Sequence, residues 1–291
     1  MTPKDLNPIK SLLFTPGTRP DRFGKAVTTA ADGVIIDLED AVGPGDKDSA
    51  RAGVAEWFRN RPATTRPGFL FCLRINSAYT EAGLRDLLAL ADLARAGCAP
   101  DAVLLPKVES PVEIELAARH LRNTGQGGAG VALVALIESA LGLEQAVAIA
   151  DASPMLRGMA FGGVDLAADL RGECAWEPLL WGRGRIVQAA ASRGLALLDV
   201  PYLDIGDSAG LAAECLRVKA MGFTGKLAIH PAQVETIATS FTPTTAELDN
   251  ARGILAAYTA AAGGACTYKG KMVDEPVVLV ARQMLARAAA A

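Results

Sequence analysis

A basic excess is absent from this sequence: 29 lysines and arginines stand against 32 aspartates and glutamates, giving a net charge of -3. Nucleic acid and anionic membrane surfaces are therefore disfavoured as partners, and an anionic ligand has to be met by local positive charge. Paired cysteine motifs are absent too. The five cysteines, Cys72, Cys98, Cys174, Cys215 and Cys266, are odd in number and scattered, with no Cys-x-x-Cys. That pattern argues against a disulfide framework and suits a reducing cytoplasm. A long uncharged apolar run is the third absence. The most apolar window, residues 131–150, carries Glu138, Glu144 and Gln145, so it reads as core and not as a membrane span. The opening residues 1–8 lack the charged and apolar regions of a signal peptide.

What is present is core. With 291 residues, 51% of them hydrophobic, the chain can bury a large interior without disulfides or metal. Its most informative stretch runs from Val131 to Asp165. Residues 131–137 are apolar enough for a strand buried on both faces and stop at Glu138; residues 159–161 repeat the pattern and reach Asp165 through Gly162 and Gly163. An amphipathic helical segment, 141–150, lies between them. A strand–helix–strand unit makes the strands parallel neighbours, which brings Glu138 and Asp165 to one edge. Either carboxylate alone reads best as a helix cap. As a pair they point to an oxygen-ligated magnesium ion, which takes one or two carboxylates and leaves its other positions to water and substrate; zinc would call for histidine or thiolate.

The rest of the chain repeats the alternation. Strands are expected at 11–16, 33–40, 69–76, 102–109, 131–137, 159–161, 195–200 and 226–230, with helices at 21–31, 47–58, 81–96, 111–121, 141–150, 184–192, 208–221 and 232–239. Residues 123–130 read as a glycine-rich loop without phosphate-loop features, and 167–181 as a longer connecting segment. Eight strands alternating with eight helices predict a (β/α)8 barrel over residues 1–243, with a doubly wound sheet as the other topology. A helical extension over 244–291 carries a polar turn around Tyr268–Asp274 that reads as a lid. Charged groups gather at the strand ends, where a barrel of this kind places its chemistry: Asp37, Glu39, Asp40, Arg74, Lys107, Glu109, Glu138, Asp165, Asp199 and His230. Of these, His230 reads as a buried hydrogen-bonded histidine. Arg183 and Arg185 read as a plain charged run, and Arg19, Lys25, Lys47 and Arg51 as either contacts for an anionic substrate or solvated helix faces.

Motifs in order along nearly the whole chain resemble the HpcH/HpaI aldolase and citrate lyase superfamily, specifically the citrate lyase β-subunit-like CoA-ester lyases. They are Leu-Phe-Thr-Pro-Gly-Thr-Arg-Pro (13–20), Ile-Asp-Leu-Glu-Asp-Ala-Val (36–42), Leu-Arg-Ile-Asn (73–76), Leu-Pro-Lys-Val-Glu (105–109), Ile-Glu-Ser (137–139), Gly-Gly-Val-Asp-Leu (162–166), Ala-Ile-His-Pro (228–231) and Gly-Lys-Met-Val-Asp (270–274). Lys10 stands where many relatives have arginine.

The resemblance implies a magnesium-dependent (β/α)8 enzyme that breaks or forms a carbon–carbon bond between a CoA thioester and a 2-keto acid. It implies Glu138 and Asp165 as metal ligands, Glu138 also meeting substrate, Arg74 as the substrate-facing cation and Asp274 as an acidic lid residue, often supplied by a neighbouring subunit. A homo-oligomer, trimer or hexamer, is expected with it. Asp37, Glu39, Asp40 and Lys107 are expected around that centre, the acids holding metal-bound water, orienting Lys107 or capping the next helix. Lys107 is expected as an ion-pair partner of these acids and not as a Schiff-base nucleophile. Hydrolysis of the acyl-CoA by a malate-synthase-like thioesterase, the β subunit of a carrier-protein citrate lyase, a metal-dependent pyruvate aldolase and a non-catalytic scaffold barrel stay open as other uses of the same residues.

Overall fold

The computed structural model describes residues 2–63 and 66–290. Contacts divide the chain into two units, Met1–Thr239 and Ser240–Ala291.

In the first unit β1 (Ser11–Pro16) is followed by the short α1 (Pro20–Phe23) and a 3-10 segment (Gly24–Thr28), and β2 (Gly33–Asp37) by α2 (Lys47–Asn60). Next come β3 (Leu70–Arg74) with α3 (Glu81–Arg95), and β4 (Ala102–Leu105) with α4 (Pro111–Arg122) and the one-turn α5 (Gln126–Ala129). β5 (Ala132–Ile137) leads to α6 (Ala140–Ala150), and β6 (Leu156–Phe161) to α7 (Gly163–Asp169) and α8 (Trp176–Ala191). β7 (Ala196–Asp199) leads to α9 (Ser208–Met221), and β8 (Gly225–Ala228) to α10 (Pro231–Phe241). The eight strands are parallel and the sheet closes where β1 pairs with β8, which establishes the barrel and excludes the doubly wound alternative.

Alternation within each strand sorts side chains between the barrel interior and the helix layer. Leu12, Ile35, Cys72, Leu104, Val134, Leu136, Ala160, Leu198 and Leu227 fill the interior. Two residues further along their strands, the same inward register arrives at Phe14, Asp37, Arg74, Glu138, Gly162, Val200 and Ile229. That parity decides which side chains form the upper layer of the barrel.

Several local expectations change. The helix expected over 21–31 is α-helical only for Pro20–Phe23. The stretch expected to be a connecting segment is mostly helical, as α7 and the start of α8. Gly182, within α8, is a packing position: a Cβ there would come within 3.1 Å of the Leu143 and Leu166 side chains. The glycine-rich loop holds the helical turn α5, with Gly127 and Gly128 pressed against the carbonyls of Ala94 and Leu121.

The second unit contains α11 (Thr245–Ala260), an antiparallel hairpin of β9 (Cys266–Tyr268) and β10 (Lys271–Val273), and α12 (Glu275–Ala290). α11 begins with a capping box between Thr244 and Glu247 and packs along α12. The expected polar turn is this hairpin. Its two-residue corner has Lys269 at φ 48 and Gly270 at φ 75, the left-handed pair of a type I′ turn. Among the described residues no helix is long and apolar enough to cross a membrane.

Candidate active site at the barrel mouth

The C-terminal ends of the strands surround a cavity of about 440 Å³, lined by Phe14, Thr15, Pro16, Asp37, Asp40, Ala41, Arg74, Leu136, Glu138, Phe161, Gly162, Val164, Asp165, Val200, Pro201, Leu203, Leu227 and Ile229. The expected residues Asp37, Asp40, Arg74, Glu138 and Asp165 therefore share one pocket, and Glu39 and Lys107 join them by ion pairs.

Asp37 and Arg74 are register partners across β2 and β3, and the pairing is made by both side chains. Arg74 Nε and Nη2 donate to the two oxygens of Asp37, each at 2.7 Å, and Nη1 lies 2.8 Å from Glu39 Oε2. The guanidinium also stacks over Phe14, 4.9 Å from the ring centre. Burial works against the charge of Arg74, but the hydrogen bonds and fields of Asp37, Glu39 and Asp40 more than offset it and raise its pKa above the ordinary arginine value. A planar cation is thus held at the pocket wall in one orientation. Asp37 also accepts from the backbone N–H groups of Glu39 and Ala41, so it fixes the β2 loop that carries the other acids.

Lys107 bears out its reading as an ion-pair partner: its ammonium bonds Glu39 and lies 3.6 Å from Asp40. Burial lowers the Lys107 pKa, yet Glu39, Asp40 and Glu138 carry it above the usual lysine value. Its backbone is left-handed, φ 53, and its N–H donates to Glu138 Oε1 at 2.7 Å. A non-glycine residue held in that region beside a pocket is the kind of strain that functional sites retain. Burial pushes Glu39 above the ordinary carboxylate range despite Arg74 and Lys107.

Glu138 is 4% exposed, while Asp165, in the first turn of α7, is exposed. Burial, reinforced by the charges of Glu39 and Asp165, pushes the Glu138 carboxyl up to about 8. Neither acid is a helix cap: Ser139 caps α6, and α7 starts at Gly163, ahead of Asp165. Gly162 makes room for Glu138, because a Cβ at 162 would sit 2.6 Å from Glu138 Oε2. Five carboxylates thus face two cations around one pocket. Among the described residues no group of three or more metal-ligating side chains surrounds a single point. The donor set fits a hard divalent cation that takes two carboxylates and keeps water or substrate oxygens elsewhere.

Other strand-end residues go elsewhere. Asp199 is fully buried on the outer side of β7, where it bonds Arg183 of α8 (3.0 Å) and Lys226 of β8 (2.5 Å); Lys226 also reaches Glu214 of α9 (2.7 Å). Arg183 is therefore not part of a plain charged run. It is 2% exposed and lies between Phe161 and Trp176. The signal available in the sequence was Lys226 inside the apolar β8, which requires a buried acid. His230 is exposed and accepts from Ala232 N–H at the start of α10, so the buried histidine reading is corrected. Lys47 donates to the carbonyls of Leu38 and Glu39, and Arg51 bonds Asp86, which leaves both committed within the unit. Arg19 is paired with Asp21 on the surface. Asp274 lies in the second unit, half-buried at the start of α12, with Oδ1 3.5 Å from Val277 N.

The HpcH/HpaI aldolase/citrate lyase family model matches residues 10–231. The chain belongs to that family. A second model, C-C bond lyase of the TIM-barrel fold, matches residues 189–290. The citrate lyase subunit beta of Escherichia coli (strain K12) is 36% identical over 291 residues, 96% of this chain and 93% of that one. A (3S)-malyl-CoA thioesterase of Cereibacter sphaeroides (strain ATCC 17029) is 37% identical over 290 residues, 98% of this chain and 96% of that one. Among solved structures, CitE of Mycobacterium tuberculosis in complex with magnesium, acetoacetate and coenzyme A matches with TM-score 0.78 and 35% identity, covering 98% of this chain and 100% of that one.

Proposed function

We propose that this carbon–carbon lyase is magnesium-dependent and cleaves, or forms, a 3-hydroxyacyl-CoA thioester of the malyl-CoA or citramalyl-CoA type, releasing acetyl-CoA or propionyl-CoA and a 2-keto acid. The observation that carries the reading is the pairing of Glu138 with Asp165 in the same pocket as Arg74. Glu138 and Asp165 hold the metal, and Asp37, Glu39, Asp40 and Lys107 set the charge and orientation around it. Magnesium there supplies a Lewis acid for the substrate hydroxyl and its neighbouring carboxylate. Arg74, fixed by Asp37 and Glu39, meets the thioester enolate oxygen or clamps the keto acid. Asp274 exchanges the proton at the thioester α-carbon. Two observations support magnesium and CoA: the excess of carboxylates at the mouth and the contents of the CitE complex.

A cytoplasmic homo-oligomer, trimer or hexamer, goes with this reading. Exposed Leu84 and Leu88 on α3 and exposed Val112 and Leu116 on α4 lie at i, i+4 spacing on two helices packed side by side, an apolar stripe suited to a second copy. Hydrolysis is the second reading, favoured by the 37% identity to a malyl-CoA thioesterase. Chromatography of the CoA products separates the two: a lyase returns a shorter CoA thioester and a keto acid, and a thioesterase returns free CoA.

A further inference from the structure

β4 leaves the barrel through Leu105, Pro106, Lys107 and Val108. Leu105 is in register with Ala135 of β5, and continuing that register would send the Lys107 N–H to the carbonyl of Leu136. Val108 N–H takes that carbonyl instead, at 3.2 Å. Lys107 is therefore an extra residue, a bulge in the β4 end, and its left-handed φ of 53 turns the displaced N–H onto Glu138 Oε1 at 2.7 Å. Among the described residues no other hydrogen bond reaches Glu138. The other non-glycine residues with positive φ, Arg171, Ala262 and Lys269, lie just past helix ends or at the hairpin corner, where left-handed backbone is common. Glycine would adopt it at position 107 without strain. The lysine keeps the strain and adds an ammonium that bonds Glu39, whose Oε2 lies 2.8 Å from Arg74 Nη1.

Resting on the metal pair of the proposed function, we propose that Lys107 is a positioning residue with two separable duties: its left-handed main chain holds Glu138 ready for the divalent cation, and its ammonium, through Glu39, holds Arg74 for the substrate. The first duty needs no charge. It needs a residue that tolerates positive φ, which unbranched side chains do better than β-branched ones. A residue that refuses this conformation takes the N–H off Glu138 and leaves the carboxyl free to turn. The second duty needs the charge and not the bulge, because Glu39 is reached only by the end of the side chain.

The test compares Lys107→Met, Lys107→Ile, Lys107→Gly and Lys107→Arg by calorimetric titration with magnesium alone, by kcat/KM on the ester that the wild-type protein cleaves best, and by melting temperature as a check on the fold. Lys107→Met stays unbranched and removes a positive charge from beside Glu138, so it is expected to bind magnesium at least as tightly as wild type. Its kcat/KM is expected to fall about tenfold or more, the loss of a charged hydrogen bond. Lys107→Ile, equal to it in charge, is expected to bind magnesium about tenfold more weakly than Lys107→Met. Lys107→Gly is expected to match or exceed Lys107→Met for magnesium and to share its loss of kcat/KM, and Lys107→Arg to recover most of kcat/KM. Equal magnesium affinity in Lys107→Met and Lys107→Ile overturns the main-chain duty. Weaker binding by Lys107→Gly than by Lys107→Met also overturns it, and decides the matter if Lys107→Ile does not fold. Undiminished kcat/KM in Lys107→Met, or no recovery in Lys107→Arg, overturns the side-chain duty. Absence of magnesium binding by the wild-type protein overturns the metal pair and this inference with it. Magnesium binding without cleavage of any ester overturns the lyase reading and the side-chain duty, while the titrations still decide the main-chain duty.

Discussion

Glu138 carries opposing demands. Its carboxyl is buried, faces Glu39 and Asp165, and has a pKa pushed up to about 8 from the ordinary 4.5. The folded, metal-free protein therefore holds a proton on Glu138 that the unfolded chain releases near 4.5. Between those values the folded state binds more protons, so stability falls as pH rises from about 4.5 through about 8. Melting curves of chelator-treated protein are expected to show this decline, and Glu138→Gln is expected to remove it, being more stable than wild type at pH 8.5 and equal to it near pH 5. Magnesium is expected to raise the wild-type melting temperature at pH 8 and to leave Glu138→Gln unchanged. That Glu138 and Asp165 line one pocket was legible in the sequence, because one directly follows β5 and the other lies four residues beyond the end of β6, and parallel neighbours end at the same edge. The place of Asp199 was not. In short strands one residue of parity decides between pocket and outer layer, and here Val200 faces in while Asp199 faces α8.

At the scale of elements, the site depends on how tightly the β5 and β6 ends approach. Gly162→Ala places a methyl against Glu138 and is expected to cost about 1–3 kcal/mol of stability, with a larger relative loss of magnesium affinity than of fold. Denaturant titration together with magnesium titration checks both. The outer cluster behaves differently. Lys226→Met leaves Asp199 and Glu214 to share Arg183 alone, Glu214 at 3.9 Å, at an expected cost of about 3–5 kcal/mol. Because that cluster lies on the helix side of the sheet, activity per folded molecule is expected to stay within about twofold of wild type. The strand and helix order could be read because short apolar runs, buried on both faces, alternate along the chain with amphipathic helical segments. The hairpin of the second unit was hidden because Tyr268-Lys-Gly-Lys271 lacks the flanking apolar alternation that marks strands, although Gly270 supplied the turn signal.

For the whole molecule, the two units are expected to have separable duties, with the barrel binding metal and keto acid and the C-terminal unit supplying Asp274. Asp274→Asn is then expected to lower kcat about 100-fold while magnesium affinity stays unchanged, as kinetics beside calorimetric metal titration will show. The measurement that reaches the central claim most directly is the magnesium-dependent cleavage of malyl-, citramalyl-, methylmalyl- and citryl-CoA, with CoA products separated by chromatography and Asp165→Ala as control. Cleavage of at least one ester to a shorter CoA thioester and a 2-keto acid, abolished by chelator and reduced at least about 1,000-fold by Asp165→Ala, is the predicted result. Free CoA as the only CoA product would contradict it in favour of hydrolysis, and undiminished cleavage by Asp165→Ala would contradict the assignment of the metal pair.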